Sequence, residues 1–461
     1  MKKLIKNGMV VSDSQTFLAD VLIEDEKISL IGVNLECADA QVIDAAGKYV
    51  IPGAVDVHTH MDLQAGAHRA VDDFYDGTVA AACGGTTTIV DHIAFGPKGC
   101  SLWHQVNEYH KLAENKAVID YGFHGVIQHV DDKILEEMEE ISQAGITSFK
   151  IYMTYDFKLS DMEIYRVLKK AKEIGAVIAV HAENDGIINY LRACYKQQGL
   201  GTPAYHPKSR PAGCEAEAIS RMFHIAAMAD DAPVYIVHLS SGKGLLEVRK
   251  AFEEHQKHIG IETCIQYLML TDERYSDEEN ALKYVMSPPL RKQEDCDALW
   301  KGIEDGTVQV VATDHCPFHF DTKKQFGAKD FTSCPNGAPG VEERVRLMFS
   351  EGVMKNKISI HKFVEVLCTN PSKMFGLYPQ KGTILPGSDA DIVIIDPSKR
   401  GVITHEKMHG ASDYSAYEGF EVLGDIDLVI QRGEIIVRDN QFLGKKGSGR
   451  FIKRSKSVLV R

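Results

Sequence analysis

The sequence predicts an α/β fold, a (β/α)8 TIM barrel joined to a small β-sandwich domain that both termini build together. Short apolar runs alternate with amphipathic helical stretches from Val55 to Asp314, about 260 residues, and such barrels typically take ~250. Runs rich in β-branched residues, separated by turn residues, bracket that region on both sides. We therefore expect residues 53–381 to form the barrel, and residues 1–52 plus 382–461 to form the sandwich domain and a C-terminal tail.

The two ends of the chain are predicted to be rich in β-strands. Near the start, residues 19–23 and 27–31 are predicted strands, and residues 391–396, 427–430 and 434–437 have the same pattern near the end. Neither end has enough strands to build a core alone. The termini are therefore expected to pair in one small domain and to lie next to each other.

The middle of the chain contains eight predicted strands, separated by helical segments such as 133–138 and 161–174. This alternation is typical of parallel strands joined by helical crossovers. An open doubly wound sheet is the alternative that the pattern leaves open. The predicted barrel strands are residues 55–58, 86–91, 119–125, 148–152, 177–181, 234–238, 261–264 and 308–314.

Composition and charge argue against several classes of protein. The formal net charge of −13 opposes nonspecific attraction to nucleic acid or to an anionic membrane surface. No run reaches the ~18 apolar residues of a membrane span, and the start lacks the apolar stretch of a signal peptide, which predicts a cytoplasmic protein. The ten cysteines form no Cys-x-x-Cys pair and are expected to be reduced.

Potential metal ligands stand at the ends of four predicted strands. His58 and His60 end the first strand, His181 the fifth, His238 the sixth and Asp314 the eighth. Because side chains two residues apart in a strand face the same side, both histidines of the first strand should point into the barrel mouth. The active sites of such barrels lie at the carboxyl ends of the strands. These five side chains are therefore expected to converge on a metal site.

Lys150 ends the fourth predicted strand, among the same ligands. An ammonium group beside divalent cations is strongly disfavoured, so the amine is expected to be neutral there. A neutral amine can capture CO2 as a carbamate, whose two oxygens can bridge two metal ions. Asp314, the carbamate and a bridging hydroxide would offset most of the charge of two divalent ions. The alternative is a lysine that points to the surface or forms a salt bridge.

Several short motifs identify a family when they are taken together. They are Asp56-Val57-His58-Thr59-His60, Gly84-Gly85-Thr86-Thr87, Phe149-Lys150, His181-Ala182-Glu183, His238-Leu239-Ser240 and Ala312-Thr313-Asp314-His315. With these motifs the sequence resembles the dihydropyrimidinase/hydantoinase family of the amidohydrolase superfamily over essentially its whole length. Within that family it resembles the bacterial D-hydantoinases, in particular the phenylhydantoinases.

The resemblance implies a binuclear metal site. Two Zn²⁺ ions are expected, with Mn²⁺ or Co²⁺ as alternatives, and they would hold a hydroxide between them. A hydroxide bound in this way is a strong nucleophile near neutral pH. The expected ligands of one metal are His58, His60, Lys150 and Asp314, and those of the other are Lys150, His181 and His238.

The reaction that the resemblance implies is the hydrolytic opening of a cyclic amide. Asp314 is expected to take the proton of the hydroxide during the attack and to deliver it to the leaving ring nitrogen. Tyr155 resembles the family's tyrosine that hydrogen-bonds the developing oxyanion. Main-chain atoms at positions matching Ser287 and Asn336 are expected to hold the amide groups of the ring.

The substituent at ring carbon C5 is expected to contact apolar and aromatic residues, which favour aryl or alkyl groups. The resemblance therefore implies a hydantoinase that opens 5-substituted, preferably aryl-substituted, hydantoins to N-carbamoyl amino acids with D-selectivity. The residues expected to form the substituent pocket are Leu63, Ala65, Phe95, Tyr152 and Phe157.

Other activities in the superfamily remain as alternatives. A dihydropyrimidinase that opens 5,6-dihydrouracil or dihydrothymine is the first, although the loop after His60 departs from the sequence common in those enzymes. An allantoinase is less favoured, since the ureido group of its substrate needs polar partners in that loop. A dihydroorotase is disfavoured because Asp62 stands where those enzymes commonly have an arginine for the substrate carboxylate. A non-catalytic scaffold is also disfavoured because this chain keeps every expected metal ligand.

The family also implies a homotetramer. The segment 445–456 is locally basic. It is expected either to be a solvated terminus or to pack on a neighbouring subunit.

Overall fold

The strands of this computed structural model, which describes residues 2–254 and 256–459, fall into a large mixed sheet, a parallel barrel and a small hairpin. In chain order they are β1 (Lys2–Val11), β2 (Thr16–Glu24), β3 (Lys27–Gly32), β4 (Gln41–Asp44), β5 (Tyr49–Pro52), β6 (Ala54–Thr59), β7 (Gln64–Ala65), β8 (His68–Arg69), β9 (Thr86–His92), β10 (Asp120–Val126), β11 (Ser148–Tyr152), β12 (Val177–His181), β13 (Val234–Ile236), β14 (Ile259–Cys264), β15 (Val310–Ala312), β16 (Ile392–Val402), β17 (Glu421–Gln431), β18 (Glu434–Arg438) and β19 (Gln441–Phe442).

Helices connect the barrel strands and cover the outside of the barrel. The α-helices are α1 (Asp76–Cys83), α2 (Leu102–Ala113), α3 (Asp132–Gln143), α4 (Asp161–Ile174), α5 (Asp185–Gln197), α6 (His206–Ser209), α7 (Ala212–Met228), α8 (Gly242–Glu253), α9 (Ile265–Met269), α10 (Gln293–Glu304), α11 (Phe320–Gly327), α12 (Arg344–Leu347), α13 (Ile360–Val364) and α14 (Asn370–Met374). Short 3-10 turns span Pro203–Tyr205, Asp272–Ser276, Ala281–Tyr284, Phe331–Ser333 and His405–Lys407, and π-helical turns span Met348–Met354 and Glu365–Thr369.

The barrel is the parallel sheet β6-β9-β10-β11-β12-β13-β14-β15, as the sequence predicted. A parallel bridge between Thr59 and His315 brings its first and last strands together. The sixth and eighth strands end earlier than predicted, at Ile236 and Ala312. The strands end there because His238 and Asp314 have positive φ angles of 42° and 53°, which an extended strand does not accommodate.

Helix α4 illustrates how the crossover helices are built. It begins with a capping box, in which the Ser160 side chain accepts from the Glu163 N–H and Glu163 returns the contact, and it ends at Gly175 in a left-handed conformation. Its apolar residues at helical spacing, which include Ile164 and Leu168, are buried against the barrel. The helical segment predicted at residues 161–174 therefore coincides with α4.

The mixed sheet is assembled from both ends of the chain, in the order β19-β18-β17-β16-β5-β1-β2-β3, with β4 also pairing with β1. The expected β-sandwich is thus one continuous sheet, because β5 pairs with β1 on one side and with β16 on the other. The sheet encloses a separate apolar core that draws on both termini, including Ile5, Val21, Ile392 and Ile430. The chain passes from this sheet to the barrel between β5 and β6.

The C-terminal tail lies against the barrel of its own chain, which differs from the expectation of a solvated terminus. The N–H of Ile452 donates to the carbonyl of Tyr121 at 2.8 Å, at the start of β10. The Arg454 side chain is buried and donates to the carbonyl of Phe123 and to Oγ of Ser148. The tail therefore covers the amino-terminal end of the barrel, opposite the end that carries the predicted ligands.

Among the helices of the described residues, none combines the length and the apolar composition that a membrane span requires.

Candidate active site

The predicted ligands surround one cavity at the carboxyl ends of the barrel strands. The cavity has a volume of about 650 Å³. Its wall includes all six side chains that the sequence predicted as metal ligands: His58, His60, Lys150, His181, His238 and Asp314. The chain delivers them from β6, β11 and β12 and from the segments that follow β6, β13 and β15.

One group of donors is formed by His58, His60 and Asp314. Oδ1 of Asp314 lies 3.2 Å from Nε2 of His58 and 3.0 Å from Nε2 of His60. One donor atom from each residue lies within 4.8 Å of the others. Nε2 of His58 is buried and makes no hydrogen bond of acceptable geometry. Burial disfavours the charged carboxylate, but the two histidines hold the pKa of Asp314 well below its usual range.

The orientation of His58 is set by Glu262, a buried residue of β14. Oε1 of Glu262 lies 2.6 Å from Nδ1 of His58 and also accepts from the N–H of His238 at 2.9 Å. The hydroxyl of Tyr235 donates to Oε2 of the same carboxylate. Burial lowers the pKa of His58, but Glu262 and Asp314 outweigh that effect and raise it to about 9. The Nδ1 contact leaves Nε2 of His58 to face the cavity.

His181 and His238 form a second group of donors. Nδ1 of His181 lies 2.9 Å from Nε2 of His238, and the rings of His58 and His238 stack with centroids 5.5 Å apart. Nε2 of His181 faces away from this contact, 2.7 Å from Oε2 of Glu183. Glu183 also accepts from Arg210, and this guanidinium outweighs burial and lowers the pKa of Glu183 to about 2. Glu183 therefore remains an anionic acceptor that orients His181.

Lys150 lies inside the cavity wall with 1% of its surface exposed. Its Nζ is 5.3 Å from the centroid of the Tyr152 ring. Burial lowers the pKa of Lys150 to about 8, although Asp314 and Glu262 act in the opposite direction. A neutral amine is therefore much more accessible here than on a surface lysine.

The backbone is unusual at three of the predicted site residues. Tyr155, His238 and Asp314 have φ angles of 73°, 42° and 53°, in the left-handed region that non-glycine residues seldom occupy. Such conformations are costly, and they persist where the surrounding structure imposes them. At this site they turn the three side chains out of the strand direction and into the cavity wall.

The donor set fits divalent metal ions. Imidazole nitrogens and a carboxylate oxygen of three residues converge within 4.8 Å, and Nε2 of His58 is buried without a hydrogen-bond partner. The remaining ring nitrogens of His58 and His181 each face a carboxylate, an arrangement that is common behind metal-bound histidines.

Tyr155, Ser287 and Asn336 lie on the same cavity wall. The Tyr155 ring centroid is 5.3 Å from that of His181, and the guanidinium carbon of Arg210 lies 5.3 Å from the Tyr155 ring. Burial raises the pKa of Tyr155, so its hydroxyl stays protonated and can donate. Oγ of Ser287 donates to Oδ1 of Asn336 at 3.1 Å, which joins two segments that are far apart in sequence.

The five residues predicted to contact the C5 substituent line this cavity, and three of them are aromatic. The ring centroids of Phe95 and Phe157 are 3.5 Å apart, and that of Tyr152 lies 5.3 Å from Phe95 and 5.0 Å from Phe157. Leu63 and Ala65 also line the cavity, beside and on the hairpin of β7 and β8. The cavity wall also includes Gln64, Gly66, His68, Cys316, Ser333, Cys334, Pro335 and Gly337.

The comparison with dihydroorotases suggested that Asp62 would face the carboxylate of a substrate, and the structure does not place it there. Its carboxylate lies 2.5 Å from the Arg69 side chain and accepts from the N–H of Phe74 at 3.2 Å. It is buried, and among the described residues it is absent from the cavity wall. Its charge is therefore compensated by Arg69 instead of facing a substrate.

Two orienting residues were not found from sequence. Glu262 could have been recognised, because a carboxylate inside an otherwise apolar strand is seldom buried without a partner. Arg210 lies in a short connection between α6 and α7, and no periodicity or motif distinguishes it. Only the folded structure shows that Arg210 contacts Glu183 and the ring of Tyr155.

Comparison with known proteins agrees with this geometry. The profile of the amidohydrolase family matches residues 49–436. The chain is 50% identical over 459 residues to a D-phenylhydantoinase of Escherichia coli O1:K1 / APEC, which covers 99% of each chain.

Solved structures of similar proteins share the whole architecture. A dihydropyrimidinase from Brevibacillus agri NCHU1002 superposes with a TM-score of 0.97 at 44% identity, over 99% of this chain and 100% of that one. A D-hydantoinase from a Bacillus sp. AR9 superposes with a TM-score of 0.96 at 43% identity, over 98% of this chain and 99% of that one.

Proposed function

The chain belongs to the amidohydrolase family, and on this premise we propose that it opens 5-substituted hydantoins, preferably aryl-substituted, to N-carbamoyl amino acids. The observation that carries the proposal is the single cavity in which the histidine and carboxylate donors lie next to an aromatic wall. The reaction adds water across the ring amide bond beside C5, so that the carbonyl carbon gains a hydroxyl group and the ring nitrogen gains a proton.

The family and the donor set indicate a binuclear site for divalent metal ions. We propose Zn²⁺ as the metal, because imidazole and carboxylate ligands suit it, and a CO2-derived carbamate on Lys150 as the bridging ligand. The lowered pKa of Lys150 supports the carbamate, since only a neutral amine reacts with CO2. When bound, the ions supply Lewis acidity and lower the pKa of a water molecule, so that it becomes a nucleophile near neutral pH.

Asp314 is proposed as the group that moves the proton. Its lowered pKa keeps the carboxylate ionised, so that it can accept a proton from the attacking water. The same carboxyl group then delivers the proton to the leaving ring nitrogen. Tyr155, whose phenol is protonated, donates a hydrogen bond to the oxygen that gains negative charge in the transition state.

The ring and its substituent are proposed to occupy different parts of the cavity. Main-chain atoms of Ser287 and Asn336 hold the ring amides, while Phe95, Tyr152 and Phe157 contact the group at C5. Aromatic side chains favour an aryl substituent through apolar contact and ring–ring geometry. We propose D-selectivity on the basis of the similar D-phenylhydantoinase.

A second candidate is a dihydropyrimidinase, since the similar Brevibacillus agri structure carries that name. The test is kcat/KM on metal-analysed enzyme for dihydrouracil and for the separate enantiomers of 5-phenylhydantoin. A clear preference for D-5-phenylhydantoin is the expected result. A preference for dihydrouracil would replace the proposal with the dihydropyrimidinase activity, and no turnover of any of these rings would overturn both.

We also propose that the protein is a homotetramer, as the family implies. Large apolar side chains that are exposed on the isolated chain, such as Leu18, Val33 and Tyr190, support an assembly that covers part of this surface. Light scattering coupled to size-exclusion chromatography tests it, and a monomeric mass at working concentration would contradict it.

A further inference from the structure

Lys323 is a lysine of α11 whose side chain is completely buried. Its Nζ donates to main-chain carbonyl oxygens at 2.6 Å (Gly337), 3.1 Å (Val285) and 3.1 Å (Leu282), with a fourth, that of Lys283, at 3.3 Å. Within the described chain, it forms no salt bridge with a carboxylate. The dipoles of the peptide groups at these four residues therefore compensate the charge of the ammonium group.

The carbonyls that Lys323 binds belong to the two segments that carry Ser287 and Asn336. Val285 lies two residues before Ser287, and Gly337 directly follows Asn336. The N–H of Gly337 also donates to the carbonyl of Val285 at 3.0 Å, and the two polar side chains contact each other at 3.1 Å. Lys323 thus joins the segments behind the cavity wall, while Ser287 and Asn336 face the cavity.

The peptide group between Met286 and Ser287 has a second restraint. Nε2 of His206 lies 2.7 Å from the carbonyl oxygen of Met286. This carbonyl and the N–H of Ser287 belong to the same planar peptide unit, so a contact that orients one also orients the other. Residues outside the cavity therefore determine the direction in which this main-chain N–H points.

Stability alone does not explain a buried lysine at this position. Removing an ammonium group from water is costly, and no carboxylate among the described residues compensates that cost at Lys323. Buried polar networks do, however, hold backbone segments in one geometry. A substrate that is recognised by main-chain atoms requires such geometry, because no side chain can adjust to it.

We propose that Lys323 is a positioning residue for ring recognition, which holds the main-chain atoms of Ser287 and Asn336 at the spacing that the cyclic amide requires. This inference rests on the proposed function. Lys323 does not touch the substrate or the reacting atoms. Its loss should therefore weaken binding of the ring and leave the chemical step and the metal site intact.

The test compares Lys323→Met with Lys324→Met, using 5-phenylhydantoin as the substrate. Lys324 is the adjacent residue on the same helix, is about half exposed and lies 3.0 Å from Asp321, so its replacement controls for the loss of a lysine from α11. We expect Lys323→Met to raise KM about tenfold or more, with kcat within about threefold of wild type and with two metal ions per subunit. Lys324→Met should match wild type in both constants.

A merely structural role gives a different pattern. General destabilisation lowers the fraction of active enzyme, and therefore kcat and metal content, while KM stays unchanged. This pattern in Lys323→Met would overturn the proposal. An unchanged KM in a folded variant with normal kcat would overturn it as well. Lys323→Gln keeps two N–H donors and should give an intermediate KM, and it replaces the methionine variant if the latter is insoluble. If both variants are insoluble, the side chain is required for folding and the positioning role is rejected.

The inference and the proposed function fail in different ways. The function fails if the wild-type enzyme, loaded with metal, turns over neither 5-phenylhydantoin nor dihydrouracil. The positioning role fails if the wild type is active and the variant retains the KM of the wild type.

Discussion

Oε1 of Glu262 lies 2.6 Å from Nδ1 of His58, and this contact leaves Nε2 of His58 directed toward Asp314. The two residues are 204 positions apart in the chain. A histidine ligand binds a metal through the nitrogen that carries no proton, so the partner of the other nitrogen selects the tautomer. Glu262 therefore orients His58 for the metal-binding role proposed for it.

Glu262→Gln should weaken metal binding. The glutamine amide can donate to Nδ1 of His58, which would favour the tautomer with a proton on Nε2. We expect metal affinity and kcat/KM to fall about 10- to 100-fold, as is typical when a residue behind a ligand is changed. Metal analysis after dialysis and steady-state kinetics measure the two effects. Glu254→Gln, at an exposed position, is the control, and full metal content with normal activity in Glu262→Gln would contradict the assigned role.

Lys150→Ala should abolish both activity and binuclear metal loading. The amine is buried, and its pKa is lowered to about 8, so its replacement removes the proposed bridging carbamate. Metal content per subunit and turnover of 5-phenylhydantoin are the measurements. Lys169→Ala removes an exposed lysine that pairs with Asp230 and should change neither. Retention of two metal ions and of activity in Lys150→Ala would exclude the carbamate.

Tyr155→Phe should lower kcat with little effect on KM. The change removes the hydroxyl proposed to stabilise the transition state and keeps the ring that contacts His181 and Arg210. Loss of one such donor typically costs about 10²- to 10³-fold in kcat. Steady-state kinetics on metal-loaded protein measure it, with Tyr165→Phe on helix α4 as the control. An unchanged kcat would remove Tyr155 from the mechanism.

Phe157→Ala should reduce the preference for aryl substituents. Phe157 packs against Phe95 and Tyr152 on the cavity wall, so its loss removes apolar contact with a group at C5. We expect kcat/KM for 5-phenylhydantoin to fall about tenfold, which corresponds to about 1.4 kcal/mol. Unsubstituted hydantoin is the internal control and should be nearly unaffected. Equal losses for the two substrates would show that Phe157 does not contact the substituent.

His206 should make the protein sensitive to acid. Burial, together with Arg210, lowers the pKa of His206 from its usual value of 6.5 to about 3. Between these values the unfolded chain binds a proton that the folded chain does not, so the free energy of unfolding should fall as the pH decreases from about 6.5 toward 3.

The measurement for His206 is the Tm of wild type and His206→Gln between pH 7.5 and pH 5. The glutamine variant keeps an N–H donor for Met286 and removes the titrating group, so its Tm should fall less on acidification. His224→Gln changes an exposed histidine and should retain the wild-type pH dependence. If Tm falls equally in wild type and His206→Gln, another group is responsible for the acid sensitivity.

The barrel could be predicted because its pattern is local. The eight strands are short apolar runs with helical segments between them, and each run remained within a few residues of its prediction. The strands that ended early did so before His238 and Asp314, whose left-handed φ angles depend on packing at the site. The terminal sheet was also predictable in outline, although its continuity through β5 depends on pairing between distant strands.

The sequence by itself determined the fold class, the family and the set of predicted donors. The alternation of strands and helices, the residues at strand ends and the short motifs can all be recognised from residues that are close together in the chain. Only the tertiary structure decided which nitrogen of His58 faces the cavity, which carboxylate and guanidinium orient His181, and how Lys323 joins two main-chain segments. These relationships depend on hydrogen bonds between residues far apart in the chain. Their geometry is determined when the strands close into a barrel, and no local pattern specifies it.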